Sequence, residues 1–316
     1  MKTVKFFFLL VVPLFAIEIR VINETTGKPA VADTLELFRM DSAMEPLETH
    51  KNVSSISYKV KEEGNLLAVA HYRGISYSRF FSATESRVNL SVFERHDSFP
   101  ESGISMRTLV QFEVLPEKKL GVMEYLFFSN STKKTFADGG KGIMAHVPPR
   151  AESFQAAVTL DSAGEGQWLT LQSEKQGDGS YLLPYPVKPG ERIYQISYVV
   201  PYSNGFVYSS VKPYPQSGEI LVTARSAGME LRDAQGRLLP GEHDKEIGRI
   251  VYTLPLSEAN LFVSGGKPGA AKSTAASNPQ RAIPFYAAVL VMLGTAGAIV
   301  GLAFYSSKGA SIRPLL

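Results

Sequence analysis

Apolar and polar residues alternate with a period of two through most of residues 17–264. Ile17, Ile19 and Val21 are separated by Glu18 and Arg20. Leu35 and Leu37 flank Glu36, and Ile56, Tyr58 and Val60 flank Ser57 and Lys59. Leu67 and Val69 continue the pattern, and Val88, Leu90 and Val92 complete this first set. Strict alternation places one apolar row on one face of an extended strand, so each run predicts a half-buried β-strand. Turn formers stand between the runs, as in Thr26-Gly27-Lys28-Pro29, Glu63-Gly64-Asn65 and Arg73-Gly74. No capped window of helical period interrupts them.

A Pro/Ser/Gly break, His96–Gly103, precedes a second set of predicted strands. These cover Thr108–Val114, Leu120–Ser129, Phe154–Leu160, Trp168–Leu171, Ile220–Thr223, Met229–Arg232, Ile250–Leu254 and Asn260–Ser264. Between them, Ile193–Tyr202 and Phe206–Val211 flank Ser203-Asn204-Gly205, and Asn-Gly tolerates the positive φ of a tight turn. The sequence therefore predicts a hairpin over 193–211. The fold class expected is all-β: two tandem β-sandwich domains over 17–95 and 102–264.

The two ends differ. Residues 1–16 place Lys2 and Lys5 before the apolar run that starts at Phe6. A helix of about ten residues rises ~15 Å, short of a ~30 Å bilayer core, so this is an expected signal peptide with cleavage after Ala16. Residues 284–305 are uncharged over 22 positions, with Tyr286 and Tyr305 near the ends. That length spans a bilayer as a helix, so 282–305 is the expected transmembrane segment. Gly294, Gly297 and Gly301 lie on one helical stripe where small residues permit close helix approach, making a homodimer through this helix one reading. Residues 265–281 form a Gly/Ala/Ser/Pro-rich flexible linker, and 306–316 a cytoplasmic tail. With an export signal ahead of it, the body is expected outside the cytoplasm.

Composition removes several functions. The chain has no cysteine, which excludes disulfides, thiolate metal sites and a cysteine nucleophile. Four of its 33 basic residues and none of its 30 acidic residues lie in the end segments, so the middle is close to neutral. A nucleic-acid-binding body would be clearly basic. His50, His71, His96, His146 and His243 form no metal-ligand spacing, and no G-x-S-x-G elbow occurs. Glu242–Glu246 reads as a solvated turn, and Asp138–Gly142 as a flexible loop whose amides could also cradle an anion. The expectation is a non-enzyme without metal or cofactor. Four N-x-S/T sequons, at Asn23, Asn52, Asn89 and Asn130, carry no expected role.

One aromatic pattern invites a ligand. Tyr194, Tyr198 and Tyr202 share one strand face, and Tyr208 lies in the following run. They form either an exposed stacking platform for a carbohydrate or the core face of the strand, with Gln195 and Ser197 outside.

Residues 17–94 resemble a carboxypeptidase regulatory-like domain. The matching features are the opening strand, the turn Asn23–Ala30, the strand Thr34–Phe38, the segment Gly64–Val69 and Tyr72–Tyr77. The family's usual "DGxF" turn is replaced by Ser54-Ser55-Ile56-Ser57-Tyr58. The layout, including Leu183–Tyr198 with its Pro189-Gly190-Glu191 turn, is similar to bacterial membrane-anchored proteins carrying such a domain. The resemblance implies a seven-stranded transthyretin-like, Ig-like sandwich, no catalytic residues and a place in the periplasm at the inner membrane. The expected function is a membrane-tethered extracytoplasmic binding or scaffold protein that recognises a protein partner through its sandwich surfaces. The alternative is a carbohydrate-binding module of the cell envelope using the tyrosines.

Overall fold

The computed structural model describes residues 16–40, 44–60, 64–100, 102–160, 168–177, 179–203, 205–209, 212–226, 228–244, 249–254 and 260–268. The expected export run, the transmembrane segment with Gly294, Gly297 and Gly301, and the tail lie outside the described residues. Every regular element among the described residues is a strand. The chain divides into two units, Met1–His96 with Lys133–Thr135, and Asp97–Thr132 with Phe136–Leu316.

The first unit contains β1 (Ala16–Asn23), β2 (Lys28–Pro29), β3 (Ala32–Met40), β4 (Met44–Val53), β5 (Ser55–Lys59), β6 (Asn65–Tyr72), β7 (Ile75–Ser82), β8 (Arg87–Val92) and β9 (Glu94–His96). β1 anchors one sheet, bonded antiparallel to β5 and β2 and parallel to β8. The second sheet runs β4-β3-β6-β7. Alternation decides what is buried. Ile17, Ile19 and Val21 are buried while Arg20 reaches out to Glu18, and Arg87 bonds the same carboxylate at 3.0 Å. Val88, Leu90 and Val92 are buried alongside. Leu35, Leu37, Ala68 and Ala70 are buried in the other sheet. β4 is polar and largely exposed, with Pro46 in it, a composition that suits an unpaired edge.

Asn23 closes β1. Its Oδ1 accepts from the Thr25 and Thr26 amides at 3.0 and 3.3 Å, and its Nδ2 donates to Glu94 Oε1 at 2.7 Å and to Tyr72 OH at 3.2 Å. Gly27 takes φ +70° at the end of this turn. The sequon at Asn23 is thus sealed inside the fold, as is that at Asn130, whose Nδ2 donates to Val187 O.

The later chain adds β10 (Ile104–Leu115), β11 (Lys119–Asn130), β12 (Lys134–Phe136), β13 (Ile143–His146), β14 (Glu152–Thr159), β15 (Trp168–Leu171), β16 (Glu174–Gly177) and β17 (Ser180–Leu183). It continues with β18 (Gly190–Pro201), β19 (Phe206–Ser209), β20 (Ile220–Ala224), β21 (Met229–Arg232), β22 (Gly241–Asp244), β23 (Arg249–Leu254) and β24 (Asn260–Gly265). An eight-stranded sheet, β15-β14-β18-β11-β10-β20-β23-β22, dominates the second unit. Two three-stranded sheets, β13-β17-β16 and β19-β24-β21, supply the rest of its core. Phe112, Leu126, Phe128 and Val222 of the large sheet pack in one cluster with Ile143 and Leu183 of one small sheet and Leu231, Leu261 and Val263 of the other.

Two expectations need correction here. The predicted hairpin over 193–211 does not form. β18 is bonded to β11 on one edge and β14 on the other, so it has no edge left for Phe206. β19 pairs with β24 instead, and Gly205, at φ +141°, lies against the Phe262 ring where the chain changes sheets. Of Glu242–Glu246, expected to be a solvated turn, Glu242–Asp244 belong to a strand, Gly241–Asp244, paired with β23, and 245–246 lie outside the described residues.

Replacing Asn23 with alanine removes four hydrogen bonds around a buried amide. The expected cost is about 1–3 kcal/mol in urea unfolding, against a change within about 0.5 kcal/mol for Phe80→Ser, whose ring is exposed.

Candidate functional site

The four tyrosines singled out by the sequence are inside. Tyr194, Tyr198, Tyr202 and Tyr208 all belong to the apolar core of the second unit, with Tyr194 at 0% exposure. They form no exposed platform. The reason is that each hydroxyl finds a hydrogen-bond partner within the fold. Tyr194 donates to Tyr185 O at 2.9 Å, Tyr198 to Glu124 Oε1 at 2.8 Å and Tyr202 to Gly265 O at 2.8 Å. Tyr208 accepts from Lys212 Nζ at 2.8 Å.

Glu124 and Lys212 make a salt bridge inside this cluster, with side chains 2% and 4% exposed. The ammonium also sits over the Tyr208 ring, 5.0 Å from its centroid. Burial, and then the neighbouring Glu124 charge, push the phenols of Tyr198 and Tyr208 well above their ordinary pKa. A buried charge pair is tolerable only when both ions keep hydrogen-bond partners, and here the tyrosines supply them. The sequence carried one sign of this: Glu124 interrupts the inward series Leu120, Val122, Leu126 and Phe128.

Other candidate chemistry is structural. Asp138 and Gly142 form an isolated bridge, and the amides of Gly140 and Lys141 bond within the turn. A Cβ on Gly142 would meet Leu183 O at 1.9 Å, so the turn is tightly packed there, and the Asp138, Gly140 and Lys141 amides are spent within it. Asp138 Oδ2 accepts from Tyr214, which itself receives the Met144 amide. His50 pairs with Glu48, and His71 with Ser76 and Glu36. Among the described residues, no three His, Asp or Glu side chains are grouped as metal ligands.

The outward face of the eight-stranded sheet is different. Register aligns Gln155, Ser197, Met123, Gln111 and Thr223 in one row across β14, β18, β11, β10 and β20. The next row is Ala157, Gln195, Tyr125, Leu109 and Leu221. Leu109, Tyr125 and Ile193 form a small apolar cluster here, flanked by half-buried Met123, Phe127, Trp168 and Leu221. Among the described residues, Gln195 Oε1 and Thr223 Oγ1 are buried with no hydrogen-bond partner. Two open hollows follow β10. One of about 510 Å³ is lined by Gln111, Glu113, Gln155 and Ser197, the other of about 630 Å³ by Arg107, Leu109, Phe127 and Glu219. Sequence reasoning passed over this face. Its signal was present in β10, where Leu109-Val110 is apolar on both parities, the mark of a strand covered on both sides.

Lys188 lies near the rim of the core, with Nζ 5.0 Å from the Tyr185 ring centroid. Burial, helped by the Arg192 charge, holds its pKa down at about 8.

No family model matches the chain, and no curated protein matches it. Among solved structures, it is similar to an M1 zinc metallopeptidase from Deinococcus radiodurans at 13% identity and TM-score 0.31, covering 53% of this chain and 43% of that one. The chain thus spans less than half the length of that peptidase. It is also similar to BcpA, the major pilin subunit of Bacillus cereus, at 12% identity and TM-score 0.20, covering 76% of this chain and 85% of that one. A third likeness is to the major pilin SpaD from Corynebacterium diphtheriae, at 11% identity and TM-score 0.22, covering 81% and 84%. At these scores none carries an argument about this chain.

Two outcomes test the buried chemistry. Lys212→Met leaves Glu124 buried without its cation and is expected to cost about 3–5 kcal/mol. Adding Glu124→Gln is expected to recover most of that loss, read as a positive coupling in a double-mutant unfolding cycle. The second outcome is a pH profile. Between pH 8 and about 10.5 the unfolded chain holds the Lys188 proton that the folded chain has released, so the unfolded state binds more protons and stability rises with pH, by on the order of 3 kcal/mol in all. Above about pH 10 the order reverses, because the buried phenols keep protons that unfolded tyrosines lose. Stability is therefore expected to climb from pH 8 and turn over near pH ~10, and Lys188→Met is expected to abolish the climb and leave the fall.

Proposed function

We propose that this chain is a non-catalytic, membrane-tethered binding protein of the bacterial envelope, and that the outward face of its eight-stranded sheet receives a protein partner. In this reading residues 1–16 direct export and are removed. Residues 17–95 form a transthyretin-like regulatory domain, consistent with the two four-stranded sheets of the first unit. The second unit is the recognition body. Residues 267–281 tether it, since Gly265 and Gly266 are bonded into the body, 282–305 cross the inner membrane, and 306–316 remain in the cytoplasm.

The observation that carries the proposal is the pair of hollows along β10, on a face where Gln195 Oε1 and Thr223 Oγ1, in the neighbouring register rows, are buried without a hydrogen-bond partner. A sheet face whose job is only to meet water carries long charged side chains. This one buries Gln195 and Thr223 beside an apolar cluster. Polar atoms deprived of partners in the free protein favour a ligand that supplies them. From Arg107 to Glu113 the row is about 20 Å long at ~3.4 Å per residue, room for an extended segment of six residues.

A carbohydrate is the second reading. The amide and hydroxyl groups of Gln111, Gln155 and Ser197, which line the smaller hollow, are the observation in its favour.

Photocrosslinking in intact membranes tests both. A photoreactive residue at the exposed position Gln155 is expected to give one discrete protein adduct, and Ser197→Arg, which fills the hollow, to abolish it. An adduct that survives Ser197→Arg counts against this face. An adduct competed away by soluble glycan moves the ligand to carbohydrate. Protease treatment of spheroplasts is expected to digest the body and spare the tail, and a protected body would overturn the topology.

A further inference from the structure

The small sheet β19-β24-β21 has one face in the core and one face outside. Tyr208, Leu261, Val263 and Leu231 point inward and are buried. On the outer face, register places Val207 opposite Phe262, Phe262 opposite Arg232, and Arg232 opposite Leu238. Val207 is 58% exposed, Phe262 37% and Leu238 58%. Single exposed apolar residues need no explanation, but these three share one row across adjacent chain segments. Arg232 stands within the row, held by Glu230 and by Gly236 O.

The row also has a particular place in the chain. Gly265 O accepts from Tyr202 and the Gly266 amide donates to Gly228 O, so the backbone is held in the body as far as Gly266. Only residues 267–281 separate that point from the uncharged run at 282–305. With the flexibility that its Gly/Ala/Ser/Pro composition predicts, a segment of this length would have a root-mean-square span of roughly 20 Å and a limit of about 50 Å. Whatever surface holds the apolar run is therefore held close to this sheet.

We propose that the Val207–Phe262–Leu238 row is a lipid-contact surface, with which the second unit rests on the phospholipid headgroup region of the membrane that carries its anchor. The proposal depends on the anchor reading given above. Three side chains are too few for a stable protein interface, which needs on the order of 1,200 Å² of buried surface. They are enough for shallow insertion once a tether supplies the local concentration. An arginine inside the row suits the same place, since its stem lies along apolar surface while its guanidinium, paired with Glu230, stays at the polar level of the headgroups.

The test uses the full chain, reconstituted into vesicles of phosphatidylcholine with phosphatidylglycerol, with and without brominated acyl chains. Trp168 is the single tryptophan, so Trp168→Phe combined with Phe262→Trp gives one reporter in the row. Leu238→Trp in the same background provides a second reporter at a more exposed position, in case the ring that packs on Gly205 does not accept replacement. Flotation of the vesicles reads the anchor, and bromine quenching reads the row. The expected result is co-flotation with at least twofold quenching of either reporter, reversed toward the unquenched level by Val207→Gln with the Leu238 reporter. Co-flotation without quenching overturns the lipid surface and leaves the anchor standing. A blue-shifted but unquenched reporter means that a second copy or another protein covers the row, and this also overturns it. Failure to float removes the anchor reading and the proposal with it.

Discussion

A carboxylate enclosed in an apolar core demands a cation, and in the second unit that demand organises the packing. Glu124 lies on β11, near the middle of the large sheet, while its cation comes from Lys212, beyond β19 of a different sheet. Tyr198 and Tyr208 complete the shell from β18 and β19. Desolvating each ion costs several kcal/mol, and only the assembled set of four side chains offsets it. The small sheet can seat on the large one in few ways that bring Lys212 Nζ to Glu124. Apolar contacts among Phe112, Tyr208 and Leu261 favour closeness, but they tolerate sliding far better than a charge pair does.

That choice of inner face determines what is outside. With Tyr194, Tyr198 and Tyr202 committed inward, Gln195 and Ser197 are forced outward by the two-residue period of β18. The same parity turns Gln111 and Met123 out from β10 and β11, and the hollows of the outer face follow. In the small sheet, Tyr208 pointing to Lys212 obliges its neighbour Val207 to face away, and Val207 sets the row shared with Phe262. Both surfaces offered for binding are thus the reverse sides of strands whose inner residues serve the buried pair.

Strand placement was legible wherever one face meets water. Ile17, Ile19 and Val21, or Val88, Leu90 and Val92, alternate cleanly because solvent enforces the contrast. β4 lacks that contrast, being exposed along most of its length, and no periodicity announces it. For the tyrosines, parity was readable but direction was not. A phenol is apolar in body and polar at its tip, so its side is decided by whether the hydroxyl finds a partner. Those partners, Glu124, Tyr185 O and Gly265 O, are between nine and seventy-four positions away in the chain. The Asn204-Gly205 turn misled for a related reason. Its local chemistry suits a hairpin, but β11 and β14 already occupy both edges of β18, and long-range edge competition leaves no local trace.

A binding face made of amides, hydroxyls and half-covered aromatics is weak on its own, because each group gives back most of what it gains in losing water. The proposed tether would change the balance. Confinement to a membrane surface would replace a dilute search with an effective concentration that reaches the millimolar range for short linkers, so that a face of modest affinity would be occupied. An exposed apolar row beside the tether would restrict the body further, from free rotation on a flexible stalk to a preferred tilt. Orientation reduces the rotational freedom lost on docking, and that saving goes to the same partner. The near-neutral charge of the middle of the chain fits this division of labour. Long-range electrostatic steering would be of little use to a domain already held at its site of action, as proposed, whereas short-range complementarity along β10 would discriminate among neighbours on the same surface.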